Sequence, residues 1–153
     1  ELLEDSIKPG DRLLDLGCGS GILSIGGMLL GAHEAAAVDI EENAVSTSIR
    51  NALKNNISME KYHAYCGNII SDIALRNTLG SNYDIITANI VADILIAMSE
   101  LFKKFLKPEG LIIISGIITE RKTEVIKIVT SCGFEVIKEA ESDGWAAVLL
   151  KAV

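Results

Sequence analysis

The run Asp15-Leu16-Gly17-Cys18-Gly19-Ser20-Gly21 constrains this chain more than any other stretch. An apolar segment, Arg12 to Leu16, leads into it, and a second, Ile22 to Leu30, leads out. A third apolar segment, Ala35-Ala36-Ala37-Val38, ends at Asp39, 22 positions after Gly17. That order reads as strand, glycine loop, helix and second strand closed by a carboxylate. It is the layout of an α/β site for a ligand that carries a ribose. Glycines supply backbone angles that other residues adopt only at a cost, and they let a ligand approach the main chain. A helix starting near Gly21 turns free N–H groups toward the loop. A carboxylate at Asp39 can accept hydrogen bonds from both ribose hydroxyls.

The remaining elements follow from pattern and punctuation. Strands are predicted over Arg12–Leu16, Ala35–Asp39, Tyr62–Cys66, Tyr83–Ala88, Leu111–Ser115, Phe134–Glu139 and Trp145–Leu150. Helices are predicted over Gly21–Leu30, Glu42–Asn55, Ser71–Leu79 and Val91–Leu106, and a further helix is capped by Thr119. Gly31 closes the first of these and Pro108 stops the fourth. Gly26 and Gly27 weaken the first helix by roughly 1 kcal/mol each against alanine. Close packing on the sheet would account for their presence. Asp143-Gly144 is a tight-turn dipeptide of antiparallel hairpins, so the last strand turns back on its neighbour. The expected fold is therefore α/β, with a seven-stranded, mostly parallel sheet, an antiparallel last strand and helices on both faces. No repeats, linkers or low-complexity segments interrupt it.

At 153 residues one domain is expected, and 49% hydrophobic residues allow it a full core. Aromatic residues are 5%, so that core is aliphatic. A net charge of −7 disfavours general binding to phosphate backbones and suits a small molecule or a basic protein. No apolar run approaches the roughly 20 residues of a membrane span. No signal-peptide pattern is present. Cys18, Cys66 and Cys132 are far apart with no CxxC, which disfavours a zinc site or disulfide framework. A reducing cytoplasm is the expected compartment. The chain begins at Glu1, inside what reads as a short helix ending at Lys8-Pro9-Gly10, so a fragment of a longer protein is expected.

Over its whole length the sequence resembles class I S-adenosylmethionine (SAM)-dependent methyltransferases. Within them it is most similar to the PrmA family, bacterial enzymes that methylate the eleventh protein of the large ribosomal subunit. Four stretches carry the likeness. They are Leu14 to Ile25; Ala37-Val38-Asp39-Ile40 with Ala44-Val45 and Asn51-Ala52; Ala88-Asn89-Ile90; and Ser115-Gly116-Ile117. The glycine loop is common to many methyltransferases, whereas Ala-Asn-Ile together with Ser-Gly-Ile is far more specific.

The resemblance implies a Rossmann-like fold with SAM as cofactor. Asp15, Gly17, Cys18, Gly19 and Gly21 would shape the pocket for the methionine part. Asp39 would hold the ribose, with Ile40 beside it, and Asn68 and Ile69 would lie by the adenine. Asn89 would face the reacting centre, next to the amine that receives the methyl. The implied reaction is methylation of lysine or N-terminal amino groups on a basic ribosomal protein, with no direct nucleic-acid or membrane partner. Two departures stand out. The family usually has an acidic residue where this chain has Asn68. It also has an N-terminal domain that recognises the ribosomal protein, and a threonine-rich segment that helps close the SAM site; neither is in this sequence. Residues 1–153 would thus be the catalytic domain.

Plainer readings stand beside these. The glycines could form a simple strand-to-helix turn, Asp39 could cap the next helix, and Asn89 could satisfy local backbone groups. Cys18 reads as a small filler rather than a nucleophile. His33 and His63 read as structural, Trp145 as core packing at a hairpin, and Lys103, Lys104 and Lys107 as a solvated helix end. Two other activities remain as alternatives: methylation of an amine on another protein, and SAM binding without catalysis. A nicotinamide oxidoreductase is disfavoured, because the loop reads G-x-G-x-G rather than G-x-G-x-x-G and because of the terminal hairpin.

Overall fold

The computed structural model describes residues 1–153. The seven strands are β1 (Arg12–Leu16), β2 (Glu34–Asp39), β3 (Tyr62–Cys66), β4 (Tyr83–Asn89), β5 (Leu106–Ile118), β6 (Phe134–Ser142) and β7 (Trp145–Ala152). They form one sheet in the order β3-β2-β1-β4-β5-β7-β6. Pairs among β1 to β5 are parallel, and β7 runs antiparallel to both β5 and β6. The helices are α1 (Leu2–Ser6), α2 (Ile22–Leu29), α3 (Glu42–Lys54), α4 (Ile73–Leu79), α5 (Ala92–Phe105) and α6 (Thr119–Ser131).

Alternation along the strands divides the core in two. Leu13, Ala35, Ala37, Ile85 and Ile113 face one way and join Leu2, Ile25 and Ala52 from α1, α2 and α3. Leu14, Ala36, Val38, Ile86, Ile112 and Ile114 face the other way, onto Leu75, Leu95, Phe102 and Val125 from α4, α5 and α6. Successive strand side chains point to opposite faces, so near-continuous apolar runs are what a sheet covered on both sides requires.

The paired glycines of α2 have different surroundings. A Cβ on Gly27 would lie 2.5 Å from Leu13 Cδ2, in the middle of a packed core, whereas one on Gly26 would meet nothing within 4 Å. Close packing on the sheet therefore explains Gly27; nothing in the structure explains Gly26. Gly27→Ala is expected to destabilise by about 1–3 kcal/mol through overpacking. Gly26→Ala is expected to stabilise by about 1 kcal/mol. Urea unfolding of the two variants beside the wild type checks the opposite signs.

Several boundaries differ from the expectation. β5 starts directly after α5, at Leu106, and its pairing with β4 shifts register between Tyr83 and Ile85. Pro108 has no N–H for a ladder, and Glu109 takes φ 61°, so Lys107 to Gly110 bows out before regular pairing resumes at Leu111. α4 starts at Ile73, because the Asp72 carboxylate accepts the Leu75 N–H at 2.9 Å and caps it. Thr119 does not cap α6: it is the first helical residue, and the cap position is Ile118. The β6–β7 turn is as expected, with Asp143 and Gly144 both at positive φ, as a two-residue hairpin of the I′ kind requires.

Trp145 corrects the reading as a core residue. It is 54% exposed, at the very start of β7, paired with the exposed Ile118. Lys107 is not a free solvated cation either, because it meets Asp84 at 2.6 Å. No helix is long and apolar enough to cross a membrane.

Candidate active site

The chain order places β2 and β3 on one side of β1 and β4 and β5 on the other. The β1/β4 junction is therefore the topological switch point, and ligands in such sheets bind beyond the carboxyl ends of the strands there. A cavity of about 390 Å³ lies at that place. Its walls come from the ends of β1 (Leu16, Gly17), β2 (Val38 to Glu41), β3 (Gly67 to Ile70) and β4 (Asn89, Ile90), and from Ile94 and Met98 of α5.

Short hydrogen bonds set the glycine loop. Gly17 and Cys18 both donate their N–H to Val38 O, at 2.8 and 3.0 Å, which folds the loop over the end of β2. Gly17 takes φ +69°, and a Cβ there would lie 2.8 Å from Ile90 Cγ1, so only glycine fits the crossing. Gly19 donates its N–H to Asp39 Oδ2 at 2.9 Å. Beside Gly19 the space is open, with nothing within 4 Å of where a Cβ would stand.

Asp39 receives one backbone N–H on each oxygen, from Gly19 on Oδ2 and from Glu41 on Oδ1 at 3.0 Å. Carboxylate oxygens have about two acceptor sites each. One site per oxygen thus remains, on a group whose direction is already fixed. Asp39 lines the cavity, and two vicinal hydroxyls match that arrangement. The plainer reading of Asp39 as a cap does not describe α3, whose cap position is Glu41, with no side-chain capping bond.

Much of the cavity wall is apolar. Ile40 is 66% exposed and Ile70 is 37% exposed, and both line the cavity. Exposed isoleucines at a cavity rim suit the faces of a flat ring. Asn68 accepts the Ile70 N–H on Oδ1 at 2.9 Å, which tightens the turn after β3. Arg76 holds the same turn from behind, donating to Ile69 O at 2.5 Å and to Ile70 O at 2.8 Å. Ile69 is 2% exposed and belongs to the core beneath the cavity that it helps to line.

Of the ten residues expected from sequence, Gly17, Asp39, Ile40, Asn68, Ile69 and Asn89 line the cavity. Asp15, Cys18, Gly19 and Gly21 lie beneath or beside it. Asp15 is 1% exposed and braces the loop from below. It accepts Ser24 N–H on Oδ2 at 3.0 Å and Thr87 Oγ1–H on Oδ1 at 2.7 Å, which ties β1 to α2 and β4. Burial raises its carboxyl above the usual carboxylate range, although the bonds from Thr87 and Ser24 oppose the rise. Burial also pushes the Cys18 thiol up to about 12, aided by the negative charges of Asp15 and Asp39. Cys18 is therefore a protonated filler at neutral pH and a poor nucleophile. A Cβ on Gly21 would lie 2.8 Å from the Tyr62 hydroxyl and 2.9 Å from Ser48 Cβ, so Gly21 serves packing between the loop and α3.

Sequence reading missed Leu16, Val38, Glu41, Gly67, Ile70, Ile90, Ile94 and Met98 as lining residues. Ile94 and Met98 are four apart on one helical face, so placing the start of α5 beside the Asn89 strand end could have found them.

A family model described as "Ribosomal protein L11 methyltransferase (PrmA)" matches residues 1–152. A ribosomal protein L11 methyltransferase of Lachnoclostridium phytofermentans is 40% identical over 160 residues, covering 95% of this chain and 48% of that protein. One from Thermoanaerobacter pseudethanolicus is 41% identical over 149 residues, covering 97% of this chain and 46% of that protein. The chain spans about half the length of the curated relatives it matches. Among solved structures, a ribosomal protein L11 methylase of Lactobacillus delbrueckii subsp. bulgaricus superposes with a TM-score of 0.88 at 24% identity, covering 98% of this chain and 74% of that one. A TehB-like SAM-dependent methyltransferase of Corynebacterium glutamicum superposes with a TM-score of 0.76 at 13% identity, covering 99% of this chain and 85% of that one. At such identities the two structures establish the fold alone.

Proposed function

Because the chain belongs to the ribosomal protein L11 methyltransferase (PrmA) family, we propose that it is the catalytic domain of an enzyme that methylates amino groups of ribosomal protein L11. The cofactor in this reading is SAM. The observation that carries it is the Asp39 carboxylate, held by the Gly19 and Glu41 N–H groups with one acceptor site per oxygen facing the cavity. The fit extends along the cavity. The open space beside Gly19 takes the chain of the ligand, Asp39 the ribose hydroxyls, and Ile40 and Ile70 the faces of the base. Asn68 is the polar group available to the base edge. Replacing it by aspartate would supply a charged acceptor, and a fewfold gain in SAM affinity is expected in Asn68→Asp by calorimetry.

When bound, SAM supplies a methyl group already activated on a sulfonium. The chain's own residues then have to orient the acceptor amine and keep it neutral. A lysine amine has an ordinary pKa near about 10.4 and must lose its proton before it attacks. Ile90, Ile94 and Met98 surround the approach to Asn89 with apolar surface, which favours the neutral form. The Asn89 side-chain oxygen can accept an N–H of that amine and so direct its lone pair. Positioning of this kind supplies roughly 7–11 kcal/mol of a barrier. The buried groups with raised pKa, Asp15, Cys18, Tyr62 and Tyr83, do not line the cavity and are not placed to act as a base. The rate of transfer is therefore expected to rise with pH through neutrality, following the substrate amine. A pH–rate profile set by an essential enzyme group near pH 7 would contradict this.

The substrate reading agrees with a net charge of −7, which suits a basic partner. The test is incubation of the full-length protein with labelled SAM and purified ribosomal protein L11, followed by mass spectrometry. Mass gains of 14 Da per methyl (a CH2 increment) on L11 amines are expected; unmodified L11 would refute the reading.

A further inference from the structure

Asn89 and Ile90 pass through a narrow slot between two glycines at positive φ. On the β1 side is Gly17, and on the β5 side is Gly116, at φ +76°. A Cβ on Gly116 would lie 2.7 Å from Asn89 Oδ1, and 3.2 Å from both Ile90 N and Ile90 O. The strands set this approach. Asn89 is in register with Ser115, and the Ile90 N–H donates to Ser115 O at 3.1 Å. On its other edge β5 breaks register with β7 between Ile114 and Ile117, so Ser115 and Gly116 form a bulge. Bulges re-aim the chain at the rim of a sheet. This one brings the Gly116 backbone up against the Asn89 carboxamide.

The Asn89 side chain is exposed at the end of β4, and its carboxamide makes no hydrogen bond within the chain, which leaves it available to a ligand. On the β5 side the space its oxygen occupies is bounded by the Gly116 backbone. We infer that Gly116 is a positioning residue, whose missing side chain leaves the space in which the Asn89 oxygen is held toward the acceptor amine. This rests on the methyl-transfer reading of the cavity. The atom that a Gly116 side chain would strike first is the far end of Asn89, so the cheapest relief is rotation of the carboxamide. Gly116 itself does not line the cavity, so SAM affinity is expected to be independent of it.

The test is a double-variant cycle on the full-length enzyme, with kcat for L11 methylation and the SAM dissociation constant both measured. Gly116→Ala is expected to lower kcat by about 10- to 100-fold, the scale of a displacement near 1 Å at a reacting centre. The SAM dissociation constant should stay within about twofold. In an Asn89→Ala background, Gly116→Ala should cost much less, because the group it acts through is gone and only the 3.2 Å approach to the Ile90 backbone remains. Gly10→Ala is the control for backbone strain. Gly10 sits at φ +94° with nothing within 4 Å of its Cβ position, ahead of β1 and away from the cavity. It should leave kcat unchanged. Equal losses from Gly116→Ala with and without Asn89, or no loss in either, would overturn the inference while leaving the methyl-transfer reading intact. A wild-type enzyme that transfers no methyl to L11 would overturn the reading itself and the inference with it.

Discussion

Asp39→Ala is expected to weaken SAM binding tenfold to more than a hundredfold. A hydrogen bond to a charged acceptor is worth about 1.5–3 kcal/mol, and about 1.4 kcal/mol is one decade in affinity. Two separate losses contribute. The ribose loses its acceptors, and the loop loses the tether from Gly19 N–H to Oδ2 and the turn from Glu41 N–H to Oδ1. Asp39→Asn separates them, since its amide retains one acceptor oxygen but no charge. An intermediate affinity is expected for it. Calorimetric titration of the three proteins checks the order wild type, asparagine, alanine. Equal affinities would remove Asp39 from the ribose site.

Asp15→Ala is expected to produce the largest loss of stability, roughly 2–4 kcal/mol. It orphans the Ser24 N–H and the Thr87 hydroxyl in a buried place, at about 1–3 kcal/mol per group, offset in part by relief of a buried charge. Asp15→Asn should cost much less. Its oxygen can accept from Ser24 N–H, and its amide nitrogen can donate to Thr87 Oγ1. The two variants also differ from the wild type in pH dependence. Burial raises the Asp15 pKa above its ordinary value of 3.8, so the folded chain holds that proton more tightly than the unfolded one. The contribution of a raised carboxyl is fully present below pH 3.8 and is lost as pH rises through the folded value. Wild-type stability relative to Asp15→Asn should therefore decline as pH increases from 3.8. Urea unfolding of the pair across acidic to neutral pH measures the difference, in which the other titrating groups cancel. A difference that grows with pH would contradict the assignment of burial as the dominant effect.

The fold was legible because both of its periodicities are clean. β1, β2, β4 and β5 are apolar on both faces, and Asp143-Gly144 marks the single reversal. The site was legible to the extent that it consists of strand ends: Gly17, Asp39, Asn68 and Asn89 each close a parallel strand or lie within two residues of its end. What depended on three dimensions was not legible. Asp15 sits on β1 like a cavity residue, but its side chain points to α2 and β4, and strand parity alone did not say which face was the loop's underside. Trp145 looked like core because tryptophan is mostly buried; its place at the first residue of β7, beyond the end of the covered sheet, leaves it exposed. Thr119 looked like a cap, but the chain enters α6 one residue earlier than its side chain required. Gly116 carried a motif without a visible reason, which is the approach of Asn89 across the β4–β5 pair.

The central claim is that the cavity at the ends of β1 to β4 is the SAM site. The most direct measurement is a titration of the isotope-labelled chain with S-adenosylhomocysteine (the product that SAM leaves behind), followed by amide NMR. The account predicts saturable shifts at Gly17, Gly19, Asp39, Ile40, Asn68, Ile70 and Asn89, with α6 and β6 undisturbed. Shifts confined to another face, or none at saturating ligand, would contradict it.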